Sequence, residues 1–379
     1  MSRALGEGAS AVRTPPRVGI VGAGQLGRML ALAGYPLGIE CLLLDRSPDS
    51  PGAQVAPLRL AELSDGAALA ELGRSVDVVT LEIENVPADA LAEAARFAPV
   101  YPPVAAITAA QDRLAEKELF RALQIPTAAF VPVSDRADLE RAAEALGLPL
   151  VLKTRRMGYD GRGQRVVKSA DALASAFAAL GEVPSIAEQW IDFERELSLI
   201  AVQGSAHRRV YYPLAENVHR GGILESTIAP YDDPSLQHAA ERWMDALFDR
   251  LDYRGVLTVE LFHTAGGLMA NEMAPRVHNS GHWTIEGAVT SQFENHLRAV
   301  LGWPLGDASA RGAAAMVNLL GRPPPADDVL AVPGAHLHLY GKEPRPARKL
   351  GHCTIVDEDR GRLTQRLAQL KAVIGVGEP

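Results

Sequence analysis

Short apolar runs, glycine turns and alanine-rich amphipathic stretches alternate through the first hundred residues. Arg17-Val18-Gly19-Ile20-Val21 reads as a strand buried on both faces, because a brief apolar run ends at a glycine cluster. A helix follows through Leu32, then strands over 39–44 and 76–81. Residues 87–97, opened by Pro87 and rich in alanine, read as a helix. Strands alternating with helices predict one doubly wound α/β unit over 17–107.

From residue 108 the pattern changes. A helix over 112–123 carries Arg113 and Lys117, whose charged face reads as solvated. A helix over 134–146, capped by Ser134 or Asp135, precedes a strand over 149–153 that ends in Lys153. A glycine-rich basic loop leads to a second strand at Val166-Val167. A helix over 169–180 and a strand over 185–189 follow, and the chain runs out through Glu188-Gln189-Trp190-Ile191. Strands over 196–200 and 209–212, a loop at His219-Arg220-Gly221-Gly222 and a helix over 239–251 come next. Apolar runs over 255–262 and 267–270 flank a turn at Thr264-Ala265-Gly266, the signature of a hairpin. A helix over 285–301 closes this region. After Pro304, the Pro323-Pro324-Pro325 turn and strands over 336–340 and 354–356 mark a β-rich segment, with a basic loop from Lys342 to Lys349. The predicted organisation is a disordered tail over 1–16 and three units over 17–107, 108–302 and 303–379.

Composition narrows the class. With 379 residues, 47% hydrophobic and 22% charged, the chain reads as a globular protein of two or three domains. A net charge of −8 argues against nucleic acid as a partner. No apolar run reaches the roughly 18 residues that a membrane span needs, so no membrane partner is expected. The two cysteines, Cys41 and Cys353, lie in apolar settings without metal-ligand spacing, which suits the reducing cytoplasm. The tail has no apolar core segment and does not read as a signal peptide.

Three stretches carry candidate chemistry. Gly22-Ala23-Gly24-Gln25-Leu26-Gly27 lies between a strand and a helix, with Asp45 a further 18 positions on (45 − 27 = 18). This is the dinucleotide fingerprint, but glycines at a helix N-terminus admit any phosphate, so a nicotinamide or flavin cofactor is only one reading. Glu82-Ile83-Glu84 follows a strand whose carboxyl end faces the same ligand crevice. The second stretch, from Thr154 to Gln164, concentrates glycines and cations on a hairpin tip. It lacks the Walker pattern, yet its amides and charges suit a triphosphate. The third is the hairpin bearing Glu260 and Glu272. Their separation is even (272 − 260 = 12), and a hairpin can set both carboxylates on one face. Two acids that close repel unless a cation lies between them, and Mg²⁺ prefers such oxygen ligands together with phosphates. Arg276, His278, Asn279 and His282 crowd the loop that follows, a set of donors suited to an anionic intermediate. A surface hairpin with two solvated glutamates is the plain alternative, and that polar loop weighs against it.

Together these stretches resemble the ATP-grasp superfamily and, within it, the 5-(carboxyamino)imidazole ribonucleotide synthase family. The resemblance covers residues 17–357. It is carried by Gly24-Gln25-Leu26-Gly27-Arg28-Met29, by Gly158-Tyr159-Asp160-Gly161-Arg162-Gly163-Gln164, and by Asn271-Glu272-Met273-Ala274-Pro275-Arg276-Val277-His278-Asn279-Ser280-Gly281-His282. The related formate-dependent glycinamide ribonucleotide transformylases usually have Glu-Leu where Gln25-Leu26 stands and Asp where Asn279 stands. The implied fold is a doubly wound amino-terminal α/β domain, a central ATP-grasp domain of two α+β subdomains and a small β-rich carboxyl-terminal domain.

The implied reaction is carboxylation of aminoimidazole ribonucleotide by bicarbonate and ATP, through carboxyphosphate. ATP contacts would fall on Arg113, Lys153, Gly158, Tyr159, Asp160, Gly161, Arg162, Gly163, Gln164, Glu188, Gln189, Trp190, Ile191, Glu196, His219, Asn271 and Glu272. Mg²⁺, with Mn²⁺ as a substitute, would bind Glu260 and Glu272. Ribonucleotide contacts would fall on Gln25, Leu26, Glu82, Tyr159, Asp160, Arg162, Asn279, Lys342, Arg348 and Lys349, with the glycine turn on the ribose phosphate. Arg276 and His278 would hold carboxyphosphate and the ribonucleotide, with Lys153 offsetting charge on the transferring phosphoryl group. The family also implies a cytoplasmic homodimer. The alternative within the superfamily is another ligase of purine synthesis such as the formate-dependent glycinamide ribonucleotide transformylase, and two other classes stand beside it: a dinucleotide-dependent oxidoreductase, and a non-catalytic metabolite-binding regulator.

Overall fold

Valine, isoleucine and leucine on both faces make the first strands suited to a covered parallel sheet. In the computed structural model, which describes residues 15–158 and 161–375, this sheet has four strands. Arg17–Val21 lies between Glu40–Asp45 and Val78–Leu81, and Leu58–Leu60 forms the outer edge beside Glu40–Asp45. Ile20 shares a core with Met29 and Leu30 of the Gln25–Gly34 helix. Val21 and Leu81 share the opposite core with Leu69 and Leu72 of the Gly66–Ser75 helix. Helices therefore cover both faces. Of the predicted tail, residues 1–14 lie outside the described residues, and the Pro16 carbonyl is already paired, accepting from Glu40 N at 2.9 Å.

Two antiparallel sheets follow. The smaller has the order Phe130–Val133, Ser185–Gln189, Leu150–Thr154, Gln164–Val167. The larger has nine strands and begins at the Gly255–Thr264 and Gly267–Ala274 hairpin. It continues through Arg195–Gln203, Ala215–Arg220 and Ile223–Ala229, with Arg209–Tyr211 pairing as a side branch on Arg195–Gln203. Ala313–Leu320 then pairs with Ile223–Ala229, and Lys349–Asp357 and Ala335–Leu339 complete the sheet. The carboxyl-terminal strands thus extend the central sheet by main-chain hydrogen bonds.

Several elements differ from the sequence pattern. The helix expected over 285–301 is two pieces, Thr284–Gly287 and Gln292–Leu301. Ala288 is extended, and Ser291 caps the second piece through Glu294 N, so a local capping bond outcompetes helix continuation. The Pro-rich stretch enters a short helix, Ala326–Leu330. A terminal helix, Arg360–Ile374, packs Leu363, Leu367 and Leu370 against the end of the central sheet. The Arg113–Ala122 helix is not merely a solvated charged face. Glu116 and Lys117 are 2% and 1% exposed, on the same stripe as buried Phe120.

Candidate active site

The site is organised by the hairpin. Glu260 and Glu272 are direct cross-strand partners, because the register shifts by one residue between Glu260 and Leu261. Both side chains line one cavity with Glu84, Arg113, Arg276 and His278. Glu272 accepts a bond from Arg113 Nη1 at 2.8 Å. Glu260 Oε1 lies 3.1 Å from His278 Nε2. His278 Nδ1 lies 2.8 Å from Ser280 Oγ and 3.3 Å from Ser280 N, so Nε2 is the ring nitrogen that faces Glu260. Burial favours the neutral form of Glu260, but His278, His219 and Lys349 outweigh it and hold its carboxyl well below the usual range.

His278 is set from behind by a residue absent from the sequence-based list. Gln292, fully buried, accepts from His278 N at 3.0 Å and donates to His278 O at 2.6 Å. Arg276 is oriented by another such residue. Glu84 accepts from Arg276 Nη2 at 3.2 Å and also from Nε, a two-point fork that suits a guanidinium. Glu84 is held below the usual carboxylate range because Arg276 outweighs the opposing effect of burial. The Glu-Ile-Glu spacing at a strand end was the signal for Glu84. It did not say which acid faces the ligand.

The predicted ATP residues gather at the junction of the two antiparallel sheets. Lys153 Nζ donates to Glu188 Oε2 at 3.0 Å. His219 Nδ1 lies 3.0 Å from Glu196 Oε2 on the neighbouring strand. Gly158 abuts Arg113, and a Cβ there would lie 3.0 Å from Arg113 Nη2. At Gly161, φ is +73° and a Cβ would come within 3.0 Å of the Gly221 carbonyl, so the basic loop meets the Gly221-Gly222 turn backbone to backbone. At Gly163 a Cβ would be 2.6 Å from Thr154 Oγ1, and Gln164 pairs with Lys153 across the hairpin. Gln189 and Trp190 are exposed, and Ile191 is partly so, while Arg162 is exposed on the loop. Asn271 has a buried side-chain oxygen with no protein partner. Tyr159 and Asp160 lie outside the described residues.

The glycine turn changes the substrate reading. Its amides are already engaged: Gly24 N and Gly27 N donate to Glu82, the latter at 2.7 Å, and Ala23 N donates to Asp45 Oδ2 at 2.8 Å. Two carboxylates of the chain itself occupy the positive end of the Gln25–Gly34 helix, where a phosphate was expected. Burial, followed by Asp45, pushes the Glu82 pKa up, against the pull of the glycine amides. Leu26 is a core residue, 9% exposed, and its side chain packs into the amino-terminal core. Gln25 Oε1 accepts from Lys342, which brings the basic loop to the turn. Asn279 exchanges two bonds with buried Asn318, at 3.1 and 2.8 Å, so its amide holds the loop to the sheet. Arg348 donates to the Glu343 carbonyl at 3.1 Å and stays within its own loop. Lys349 opens a strand, and its charge acts on both Glu260 and His219.

Known proteins are similar to this chain along nearly its whole length. Residues 16–111 match the ribonucleotide synthetase preATP-grasp domain, and 118–293 match the ATP-grasp domain. Residues 314–366 match the phosphoribosylaminoimidazole carboxylase C-terminal domain. The N5-carboxyaminoimidazole ribonucleotide synthase of Pseudomonas aeruginosa is 49% identical over 358 residues, spanning 94% of this chain and 99% of the relative. The crystal structure of N5-carboxyaminoimidazole ribonucleotide synthetase from Thermus thermophilus superposes with a TM-score of 0.91 at 49% identity, covering 96% of this chain and 99% of the other. That of N5-carboxyaminoimidazole synthase from Aspergillus clavatus, in complex with ADP and 5-aminoimidazole ribonucleotide, gives 0.90 at 33% identity, covering 95% and 99%. With this similarity running through all three sheets and the hairpin that pairs Glu260 with Glu272, the chain belongs to the N5-carboxyaminoimidazole ribonucleotide synthase family of ATP-grasp enzymes.

Proposed function

We propose that this chain carboxylates the exocyclic amine of 5-aminoimidazole ribonucleotide, using ATP and bicarbonate and passing through carboxyphosphate. The observation that carries the residue roles is the single cavity in which Glu260 and Glu272 meet Arg276 and His278. A bicarbonate oxygen attacks the γ-phosphorus and ADP leaves. Carboxyphosphate then yields carbon dioxide and phosphate, and the amine adds to the carbon of carbon dioxide while its N–H proton passes to the released phosphate. Arg276, steadied by Glu84, binds the anionic intermediate. His278, whose Nε2 faces Glu260 in this structure, is positioned to donate from that nitrogen once the contact is relieved. Lys153 and the 158–164 loop hold the nucleotide phosphates and exclude water, which would otherwise hydrolyse carboxyphosphate. Lys342 and Gln25 place the ribonucleotide beside Glu82.

The donor set fits Mg²⁺. Two carboxylates face each other across the hairpin, and Asn271 adds an unpartnered buried oxygen nearby in sequence. Among the described residues no group of three or more His, Cys, Asp or Glu side chains forms a ready cage. Mg²⁺ takes one or two protein carboxylates and completes its shell with phosphate and water. Glu260 and Glu272 would hold it, after exchanging their His278 and Arg113 partners. Bound there, it offsets negative charge on the phosphate oxygens.

No helix among the described residues is long and apolar enough to cross a membrane. Cys41 and Cys353 are buried free thiols, which supports the cytoplasm as the working compartment. Family resemblance supports a homodimer, and sedimentation at micromolar protein tests it, a monomeric mass counting against it. Phosphate release from ATP, measured with and without aminoimidazole ribonucleotide and bicarbonate, tests the activity. Stimulation by both together, matched by product, is the expected result.

A further inference from the structure

Glu188 has more positive charge around it than it needs. Its side chain is 4% exposed, and two ammonium groups converge on the same oxygen, Oε2: Lys153 at 3.0 Å and Lys117 at 3.4 Å. Arg113 also acts on Glu188, and Lys117 also feels the buried Glu116 carboxylate, so three cations and two acids share this site, with Arg113 itself bonded to Glu272. The two lysines are not equivalent. Lys117 is 2% exposed in its side chain and also donates to Thr127 Oγ1 at 2.8 Å. Thr127 in turn donates to the Ala270 carbonyl at 2.7 Å, immediately before Asn271 and Glu272. Lys153 is the last residue but one of its strand, near the basic loop, and Glu188 is its hydrogen-bond acceptor among the described residues.

We propose that Lys117 is the resident counter-ion of Glu188, and that its charge releases Lys153 to engage the nucleotide phosphates. Lys117 is a positioning residue in this scheme and touches no substrate. The proposal rests on the reading that Lys153 binds those phosphates. Removing one partner of a buried ion pair strands the other charge, which is strongly unfavourable. If Lys153 were the sole counter-ion, leaving for the phosphate would strand Glu188. With Lys117 in place the transfer leaves the Glu188 carboxylate paired. The geometry also offers Lys117 a bracing role, since it links the Arg113–Ala122 helix to Thr127 and through it to Ala270. A brace acts on stability and is indifferent to the charge on Glu188.

A double-mutant cycle separates the two roles. ATP dissociation constants and thermal unfolding midpoints are measured for the wild type, K117M, K153M, E188Q and K117M/E188Q. The expected result is that K117M weakens ATP binding about tenfold or more, equivalent to about 1.4 kcal/mol. In the E188Q background the same change should alter ATP affinity by less than about threefold, because no buried charge is left to strand. Equal losses in both backgrounds, or an unchanged ATP affinity in K117M, overturn the proposal. K153M serves as the control for the underlying reading: if it leaves ATP binding intact, the assignment of Lys153 to the phosphates is wrong. If K153M weakens binding and K117M does not, only the role of Lys117 fails. Should K117M alone not fold, K117M/E188Q is compared with E188Q. Matching affinities then support the counter-ion role, and a further loss overturns it.

Discussion

Glu84 and Arg276 stand 192 positions apart and form a forked ion pair across the boundary between the amino-terminal domain and the hairpin loop. The pair joins the parallel sheet, at the carboxyl end of Val78–Leu81, to the cavity that holds Glu260 and Glu272. It makes the orientation of Arg276 depend on how the two domains dock.

Replacing Arg276 with alanine should separate the two half-reactions. ATP binding should survive, because Lys153 and the 158–164 loop are untouched. Carboxylation should fall roughly a hundredfold to a thousandfold, or about 2.7–4 kcal/mol, as for loss of one oxyanion donor. Phosphate release should outrun product formation, since carboxyphosphate left unheld meets water. The competing view makes Arg276 a purely structural partner of a carboxylate. Glu286, the next acid along the chain, pairs with His338 at 2.7 Å, so Glu84 is the partner to weigh. Phosphate and product are measured on one preparation, and intact coupling in R276A would contradict the assigned role.

Acid stability should report on the same pair. Glu84 is held below its ordinary value of 4.5, so its contribution is present above that pH and disappears as pH falls through the lower folded value. Glu84→Gln should therefore destabilise the protein near pH 7, by about 1–3 kcal/mol for a partly buried bond left incomplete. The gap to wild type should narrow below about pH 4.5. Denaturant unfolding at pH 7 and pH 4 checks this, and a gap that widens on acidification reverses the sign and rejects the argument.

Glu272→Gln should abolish ATP turnover while the fold survives. The substitution keeps the shape of the side chain and removes one of the two negative charges that face each other on the hairpin. Several kcal/mol of charge stabilisation is the expected loss for a metal-assisted transfer. Phosphate release close to the wild-type rate, with an unchanged circular dichroism spectrum, would remove Glu272 from the proposed metal site.

Dinucleotide binding should be weak. The amides of Ala23, Gly24 and Gly27, which a pyrophosphate would need, donate to Asp45 and Glu82. A dinucleotide would have to displace two carboxylates from the helix N-terminus. Fluorescence titration with NADH should show no saturation in the low micromolar range. Tight binding there would mean that the turn opens for a phosphate after all.

The periodicity of strands, helices and glycine turns was legible in the chain, and so was the chemistry of its three motifs. The alternation over 17–107 could only be a covered parallel sheet, since both faces of its strands are apolar. The polar loop after Glu272 could scarcely be ordinary surface. Burial of charge was not legible. Lys117 and Glu116 share a stripe with Phe120, but a charged helical face is usually solvated, and only the packing of the helix against the hairpin turned them inward. Nor was competition for the glycine turn legible, because Glu82 and Asp45 reach it from other strands of the parallel sheet.

The hairpin marks the division most sharply. Thr264 pairs with Gly267, and an unbroken register from that turn would set Asn271 opposite Glu260 and send Glu272 to the other face (264 + 267 − 260 = 271). An even separation in sequence was therefore insufficient to bring the two acids together. The register shift beyond Leu261 inserts one residue and makes Glu272 the partner of Glu260. The sequence by itself determined that two carboxylates and a donor-rich loop belong to one strand pair. Which atoms face each other was decided by the folded sheet, because Glu260 is also held in register by the Arg195–Gln203 strand on its other side.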